Sequence, residues 1–137
     1  MNSFVWNKIK HDVKVEKLNE QHKKLFDTLA KLYKAMEDKS DKKALAKVID
    51  ELIIYSKEHL TTEEELLEKH NYPAIAQQKE QHKIFIDKVQ SFRNEFETNN
   101  NFMLYFNMAV FLKNWIANHI EEIDRLYSKF LNDRGVF

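Results

Sequence analysis

The sequence predicts an all-α protein, an up-and-down four-helix bundle with an extended N-terminal arm. Three observations favour this fold. Glycine and proline occur once each in 137 residues, whereas strong helix formers such as Lys, Leu and Glu are abundant. Long stretches repeat apolar residues with the period of an amphipathic helix. Short polar turns separate these stretches, which is typical of antiparallel helices packed around one core.

Composition restricts the classes of function. The 22 basic residues balance 22 acidic ones, and the two kinds are interspersed, so we expect no basic surface for nucleic acid or an anionic membrane. The absence of cysteine excludes disulfides, thiolate metal ligands and cysteine nucleophiles. No stretch resembles a signal peptide or a membrane-spanning helix. We therefore expect a single-domain, cytoplasmic, monomeric protein over residues 1–137, with no nucleic-acid or membrane partner.

The bounds of each element are predicted from its apolar stripe and its terminal residues. The predicted helices lie at about 19–38, 41–70, 73–98 and 102–132. Residues 1–18 have no clean period and are predicted to form the extended arm. Asn19 is predicted to cap the first helix, and Ser40 or Asp41 the second. Pro73 is predicted to begin the third helix, because proline is tolerated in a first helical turn. The run at 99–101 is a turn signal before the fourth helix.

The inward faces of the first and last helices can be read from these stripes. The first helix is predicted to bury Leu18, His22, Leu25, Phe26, Leu29, Leu32, Tyr33 and Met36. The fourth helix is predicted to bury Phe102, Tyr105, Phe106, Ala109, Leu112, Trp115, Ile116, His119, Ile123, Leu126, Tyr127 and Phe130.

Polar side chains interrupt the apolar stripes of all four helices. These candidate site residues are His22, His59, Glu63, Gln78, His82, His119 and Asp124. His59 and Glu63 are four residues apart, as are Gln78 and His82, so each pair projects from one side of its helix. Because adjacent helices run antiparallel, we expect all seven residues near one end of the bundle. His119 and Asp124 are five apart, which is a looser spacing.

Each of these residues has an ordinary alternative when it is considered singly. A lone inward histidine is more often a hydrogen-bonded core residue than a metal ligand. In Glu63-Glu64-Glu65, two of the three side chains are expected to be solvated charges. Gln78 could be a surface amide, and Asp124 could pair with a basic residue such as Arg125. These alternatives must all hold together, however, and they then leave a group of buried polar side chains without partners, which is costly.

A metal would satisfy several such groups together. Four imidazoles and two carboxylates are too many for one zinc ion, which takes four ligands in structural sites. Calcium and magnesium prefer oxygen ligands. The set suits two first-row ions with bridging carboxylates, and iron is the natural choice for mixed nitrogen and oxygen ligands.

These residues lie in motifs that resemble the hemerythrin family, specifically its single-domain bacterial members. The motifs are Gln21-His22-Lys23-Lys24-Leu25-Phe26, Tyr55-x3-His59-x3-Glu63-Glu64, Tyr72-Pro73 followed by His82, and Trp115-x3-His119-Ile120-x3-Asp124. They cover nearly the whole chain, in order and at the spacing of the family. The resemblance implies two non-haem iron ions, oxo- or hydroxo-bridged, and reversible binding of dioxygen.

The resemblance also implies a role for each site residue. The implied ligands are His22 and His59 on the iron that binds dioxygen, His82 and His119 on the other iron, and Glu63 and Asp124 as bridges between the two. Trp115 and Ile116, one turn from His119, would line an apolar oxygen pocket. Such a pocket is physically sensible, because it keeps water away from the reactive centre.

Gln78 departs from the family pattern, which has a fifth histidine four residues before His82. Glutamine offers a harder and weaker ligand than imidazole, or leaves the position to water. We therefore expect the second iron to be more Lewis acidic and open to exogenous ligands, with faster autoxidation or peroxide-type reactivity. Asn19 and Lys14 also stand where the family usually has aspartate and glycine, changes that concern capping and the arm.

The favoured function is reversible dioxygen binding for storage, delivery or sensing, and not catalysis. A di-iron enzyme with oxidase, peroxidase or nitric-oxide-handling activity is an alternative that Gln78 favours, with peroxide or nitric oxide as its ligand. An iron-storage module is a second alternative.

Overall fold

Four long helices make up most of the chain in the computed structural model, which describes residues 5–99 and 101–137. The elements are α1 (Lys8–His11), α2 (Glu16–Glu37), α3 (Lys42–Lys69), α4 (Ile75–Thr98), α5 (Phe102–Glu122), a 3₁₀ helix (Asp124–Tyr127) and α6 (Ser128–Asn132). The long helices pack in a ring, α2 on α3, α3 on α4, α4 on α5 and α5 on α2. The predicted all-α bundle is confirmed. The predicted arm and turn extend over residues 1–4 and Asn100, which lie outside the described ranges.

The core is built from the inward stripes of these helices. The most deeply buried large side chains are Leu18, Leu29, Leu32, Ile49, Leu52, Leu67, Phe85, Phe96, Met108, Leu112, Tyr127 and Leu131. All eight residues predicted to lie on the inward face of the first helix are buried. Burying one large apolar side chain contributes roughly 1.5–3 kcal/mol, so this core is the main stabilising feature of the bundle. Within the described ranges, no helix has both the length and the apolarity needed to cross a membrane.

The segment before α2 differs from the predicted arm, because it contains the single helical turn α1. α2 begins at Glu16, so Asn19 is not its N-cap residue. Instead, the Asn19 side-chain oxygen accepts a hydrogen bond from the Val13 amide at 3.0 Å, and its NH₂ group donates to Asp12 at 2.8 Å. The side chain of Asn19 therefore ties the preceding segment to the first turn of the helix. Val13 of this segment is fully buried in the core, so the segment packs against the bundle.

The start of the third predicted helix and the length of the fourth also differ. α4 begins at Ile75, two residues beyond Pro73. The single fourth helix predicted at about 102–132 is wrong, because α5 ends at Glu122 and a 3₁₀ helix and α6 follow. The change of helical type at Ile123 alters the direction in which the following side chains point. As a result Leu126, predicted to be inward, is 67% exposed, whereas its neighbour Tyr127 is fully buried.

The start of α5 also presents a different face from the one predicted. Phe102 and Phe106 are 60% and 40% exposed, whereas Leu104 and Met108 are buried. Apolar residues occur on both faces of this part of the helix, so their spacing alone did not identify the inward one. The face nearer the site was predicted correctly, since Leu112, Ile116 and His119 are buried.

Candidate metal centre

The polar residues predicted to interrupt the four stripes lie together near one end of the bundle. They are His22 on α2, His59 and Glu63 on α3, Gln78 and His82 on α4, His119 on α5, and Asp124 at the start of the 3₁₀ helix. Each is at most 4% exposed. The change of helical type after α5 explains how Asp124 reaches the cluster from five residues beyond His119.

Two groups of side chains in this cluster have the geometry of metal ligands. The first group is His22, His59, Glu63 and Asp124, and the second is Glu63, His82, His119 and Asp124. In each group, one ligand atom from every residue lies within 4.8 Å of the others. Glu63 and Asp124 belong to both groups, as carboxylates that bridge two ions must. The spacing-based prediction therefore assembled residues that do converge in space.

The imidazoles of the cluster face one another through their Nε2 atoms. The Nε2 atoms of His22 and His59 are 2.9 Å apart, and those of His82 and His119 are 3.3 Å apart. Carboxylate oxygens lie at similar distances, Glu63 Oε1 at 3.0 Å from His82 Nε2 and Asp124 Oδ1 at 3.0 Å from His119 Nε2. Nitrogen and oxygen donors thus surround two small positions in the core.

Three residues outside the predicted set orient these imidazoles. The contacts are His59 Nδ1 to Gln21 Oε1 at 2.8 Å, His119 Nδ1 to Gln81 Oε1 at 2.9 Å, and His82 Nδ1 to Glu64 Oε2 at 2.7 Å. These oxygens can only accept a hydrogen bond, so Nδ1 carries the proton in each ring and Nε2 directs its lone pair into the cluster. Metal-binding histidines are held by partners of this kind.

The expectation that Glu64 is an ordinary solvated charge is therefore wrong. The signal that could have identified these three partners is weak but present. Each is adjacent in sequence to a predicted ligand, and each reaches across to a histidine of the neighbouring helix.

The chemistry of the cluster fits a pair of metal ions. Lone pairs of nitrogen and oxygen point at one another, and this arrangement is unfavourable unless cations or shared protons lie between them. Glu63 Oε1 and Asp124 Oδ2 are buried and lack a hydrogen-bond partner, although each lies near a histidine nitrogen. An ion coordinated by these atoms would satisfy both oxygens. The mixed nitrogen and oxygen donors suit first-row transition metals.

Electrostatics keep the two carboxylates ionised. Burial raises the pKa of Glu63, but His59 and His82 together outweigh burial and hold that pKa well below its ordinary value. Burial and the nearby Glu63 raise the pKa of Asp124, and His119 and His22 reverse the shift, so it is lowered overall. Both side chains therefore provide the charged oxygens that a metal requires.

The pKa values of His22 and His82 are shifted in opposite directions overall. Burial lowers the pKa of His22, and the proximity of His59 lowers it further, so its imidazole is favoured as a neutral ligand. Burial also lowers the pKa of His82, but Glu63 and Glu64 outweigh this effect and raise it overall. Without a metal, a proton on His82 would take the place of the cation.

Tyr127 is a further functional residue that the sequence identified only as an apolar core position. Its hydroxyl donates a 2.7 Å hydrogen bond to Glu63 Oε2. Burial and the adjacent Glu63 raise the pKa of Tyr127 well above 10, so this hydroxyl keeps its proton and acts as a donor. The 3₁₀ helix therefore supplies both Asp124 and the residue that orients the other shared carboxylate.

Gln78 lies beside the second group. Its amide nitrogen donates to Asp124 Oδ1 at 3.0 Å, and its amide oxygen is 3.0 Å from His119 Nε2. Because the Gln78 NH₂ group is bonded to Asp124, the amide oxygen points into the cluster. It faces the same small position as the lone pair of His119 Nε2. His70, which follows the last residue of α3, forms the C-cap of that helix and is not part of either group.

A small cavity adjoins the cluster, and Gln78 is not among the residues that line it. It has a volume of about 10 Å³, and the predicted pocket residues Trp115 and Ile116 both line it. The other lining residues are His22, Leu25, Ser56, His59, Leu60, Phe85, His119, Ile120 and Asp124. The ring of Trp115 stacks on that of His119 with 4.3 Å between centroids, and on Phe85 at 4.2 Å. The wall beside the histidines is therefore largely aromatic and aliphatic.

Comparison with known proteins agrees with this geometry. The family model described as the hemerythrin HHE cation binding domain matches residues 13–131. Bacteriohemerythrin from Clostridium acetobutylicum is 33% identical over 129 residues, covering 90% of this chain and 98% of that protein. Bacteriohemerythrin from Stenotrophomonas maltophilia is 29% identical over 117 residues, covering 85% and 74%.

Solved structures support the same relationship. A crystal structure of wild-type hemerythrin superposes with a TM-score of 0.82 at 26% identity, covering 91% of this chain and 95% of that one. The matched residues include every member of the buried cluster. The chain therefore belongs to the hemerythrin family, whose members bind oxygen at a non-haem di-iron site.

Proposed function

We propose that this protein holds two iron ions in the buried cluster and binds dioxygen reversibly there, for storage, delivery or sensing. The observation that supports this most strongly is the presence of two histidine pairs that share two carboxylates. The proposed ligands are His22, His59, Glu63, His82, His119 and Asp124. When bound, the iron pair supplies the electrons and the open coordination position that dioxygen needs.

The chain contributes orientation and exclusion of water. Gln21, Glu64 and Gln81 fix the imidazoles of His59, His82 and His119, so that none of these three rings has to reorient to bind a metal. Tyr127 similarly fixes one oxygen of Glu63 and leaves the other free. We also propose Trp115 and Ile116 as walls of the oxygen pocket, since both line the small cavity beside the histidines. Their apolar surfaces would exclude water, which otherwise promotes irreversible oxidation.

The proposal is tested by iron content and optical spectra of the reconstituted protein, under air and after reduction and deoxygenation. We expect two iron ions per chain and a colour that appears in air and disappears reversibly when oxygen is removed. The double variant His59→Ala, Glu63→Ala should lose both properties, because it removes ligands of the first group and one shared carboxylate. His70→Ala, at the C-cap of the same helix and outside the cluster, is the matched control and should retain both.

Other outcomes would identify another function. A protein that binds no iron would refute the proposal, and iron well above two ions per chain would indicate storage. Rapid bleaching in air with turnover of peroxide would indicate an enzyme.

A di-iron enzyme is the second candidate, and Gln78 is the observation that favours it. We propose that its amide oxygen, which lies beside the His119 lone pair, is a weak ligand of the second iron. A weak ligand is displaced more readily than imidazole, which would admit peroxide or nitric oxide to that ion. Gln78→His should then prolong the oxygenated spectrum before it bleaches, whereas Gln77→His, an exposed neighbour, should not. Equal lifetimes in native protein and Gln78→His would count against this role.

A further inference from the structure

Ser56 has a buried hydroxyl that the cluster described above does not use. The residue is 1% exposed, and its Oγ atom has no hydrogen-bond partner. Serine and threonine in helices ordinarily bond to the carbonyl four residues earlier. Thr28 does so at 2.8 Å to the Lys24 carbonyl, and Thr62 at 2.9 Å to the Glu58 carbonyl. Ser56 makes no such bond, so its hydroxyl has no local structural role.

Ser56 lies beside the proposed metal centre. It precedes His59 by three residues on the inward stripe of α3 and lines the same small cavity as Trp115 and Ile116. Apart from Ser56 and the proposed metal ligands, the residues lining this cavity are aliphatic or aromatic. Ser56 supplies the one hydroxyl in the cavity wall. An unpaired hydroxyl in an otherwise apolar wall is costly, which points to a partner that enters the cavity from outside.

We propose that the Ser56 hydroxyl donates a hydrogen bond to the small ligand taken up beside the metal centre, and so favours electron-rich ligands over apolar ones of the same size. This inference rests on the proposed iron centre. The cavity has room for about one water-sized group, so it would accept only the far end of a ligand whose other end lies at the proposed metal position. The ligand class is therefore a diatomic molecule or a small linear anion. A hydroxyl proton can rotate to meet the far end of such a ligand, whereas the surrounding carbon atoms offer it no polar contact.

The test uses the iron-loaded full chain with azide as the probe. Ser56→Ala should weaken azide binding about tenfold, because a hydrogen bond to a charged acceptor is lost. The antisymmetric stretch of bound azide should shift between H₂O and D₂O in the native protein and shift less in Ser56→Ala. Ser128→Ala is the matched control, since the Ser128 hydroxyl is also buried and unpaired but does not line the cavity. It should leave azide affinity and the isotope shift unchanged.

The metal-free protein provides a second, independent measurement. Because the Ser56 hydroxyl is unpaired, Ser56→Ala should leave the urea midpoint of unfolding equal to or above that of the native chain. A lower midpoint would show that the hydroxyl has a structural partner, and the inference would be wrong. It would also be overturned if Ser56→Ala lost iron, or bound azide as tightly as the native protein.

These results also separate this inference from the proposed function. Failure of the native chain to bind iron overturns both. Normal iron content and native azide binding, with no effect of Ser56→Ala, overturns only the role of Ser56.

Discussion

Three consecutive glutamates on α3 have three different environments. Glu63 is fully buried in the cluster, Glu64 is half-buried and accepts a hydrogen bond from His82, and Glu65 is exposed. Successive helical residues are about 100° apart around the axis, so neighbours of one residue type face the core, its boundary and the solvent. The chemical role of each carboxylate is therefore set by its direction from the helix.

This difference leads to a prediction for metal affinity. Glu64→Ala should weaken metal binding by roughly 10- to 100-fold, because His82 loses the acceptor that fixes its ring and directs Nε2 into the cluster. The measurement is competition with a chromophoric chelator. Glu65→Ala is the matched control and should bind metal as the native protein does. Equal affinities for the two variants would show that His82 is oriented by other contacts.

The side chains that converge in the cluster were predictable from sequence, but the residues that orient them were not. A histidine and a carboxylate four residues apart share one side of a helix whatever that helix packs against, which is why His59 and Glu63 could be paired. Gln21 reaches His59 on another helix. Such a contact depends on the rotation and axial offset of two helices, and no pattern within one helix specifies these. The role of Tyr127 was not predictable for a different reason. Its ring suits an apolar core, and the hydrogen bond from its hydroxyl to Glu63 depends on the helix break.

At the scale of helices, three helix ends adopt the same conformation. Residues just beyond α2, α3 and α6 have positive φ angles, at Lys39 (55°), Asn71 (56°) and Gly135 (81°). In each case the next amide bonds back to a carbonyl five residues earlier, as Ser40 does to Ala35 at 2.9 Å. This arrangement satisfies carbonyls that a helix end leaves free, and glycine or asparagine suits it best. Lys39 is the unfavourable residue of the three.

Replacing this lysine should therefore stabilise the bundle. Lys39→Gly is expected to raise the free energy of unfolding by about 0.5–1 kcal/mol, because glycine adopts a positive φ without steric cost. Lys47→Gly, at an exposed position inside α3, should lower it by about 1 kcal/mol, since glycine is unfavourable in a helix interior. Urea unfolding of the metal-free chain measures both. A destabilising Lys39→Gly would mean that the lysine side chain makes a favourable contact at this turn.

The break after α5 shows the limit of reading one helix at a time. A periodic pattern continues from α5 into the C-terminal segment, so the sequence predicted one helix of about 30 residues. In a continuous helix, Asp124 would lie about 140° around the axis from His119. The 3₁₀ segment brings Asp124 and Tyr127 inward together, and the complete burial of Tyr127 and Leu131 favours this arrangement over regular helix. Tertiary contacts, which periodicity does not report, set the conformation here.

For the molecule as a whole, a strong apolar core supports a polar cluster at one end. The fold was predictable because a shortage of glycine and proline, together with regular apolar stripes, leaves few alternatives to a helical bundle. The same stripes located the cluster, because each interruption was visible against a regular background. In the metal-free bundle all of these interruptions except Gln78 remain buried ionisable groups, so the stability of the whole protein should depend on pH.

The sign of this dependence follows from the individual pKa shifts. The pKa values of Glu63 and Asp124 lie below the ordinary values of 4.5 and 3.8. Their contributions to the free energy of unfolding are therefore present at a pH above the ordinary values and are lost as the pH falls through the lowered pKa values. His22 acts in the same direction, because its pKa is below 6.5 and the unfolded chain binds the proton first. The pKa of His82 is raised, so its contribution is complete below 6.5 and is lost as pH rises through the higher value.

We therefore expect the unfolding free energy of the metal-free protein to fall steeply below about pH 4.5 and modestly as pH rises above about 6.5. Urea titrations from pH 3 to 9 in the presence of a chelator measure this profile. Glu63→Gln should flatten the acid limb, because the amide does not titrate, and Glu65→Gln should leave it unchanged. Iron should remove the alkaline decline, since the metal replaces the proton that His82 loses. A flat profile between pH 3 and 5 would show that the buried carboxylates are not held ionised by the histidines around them.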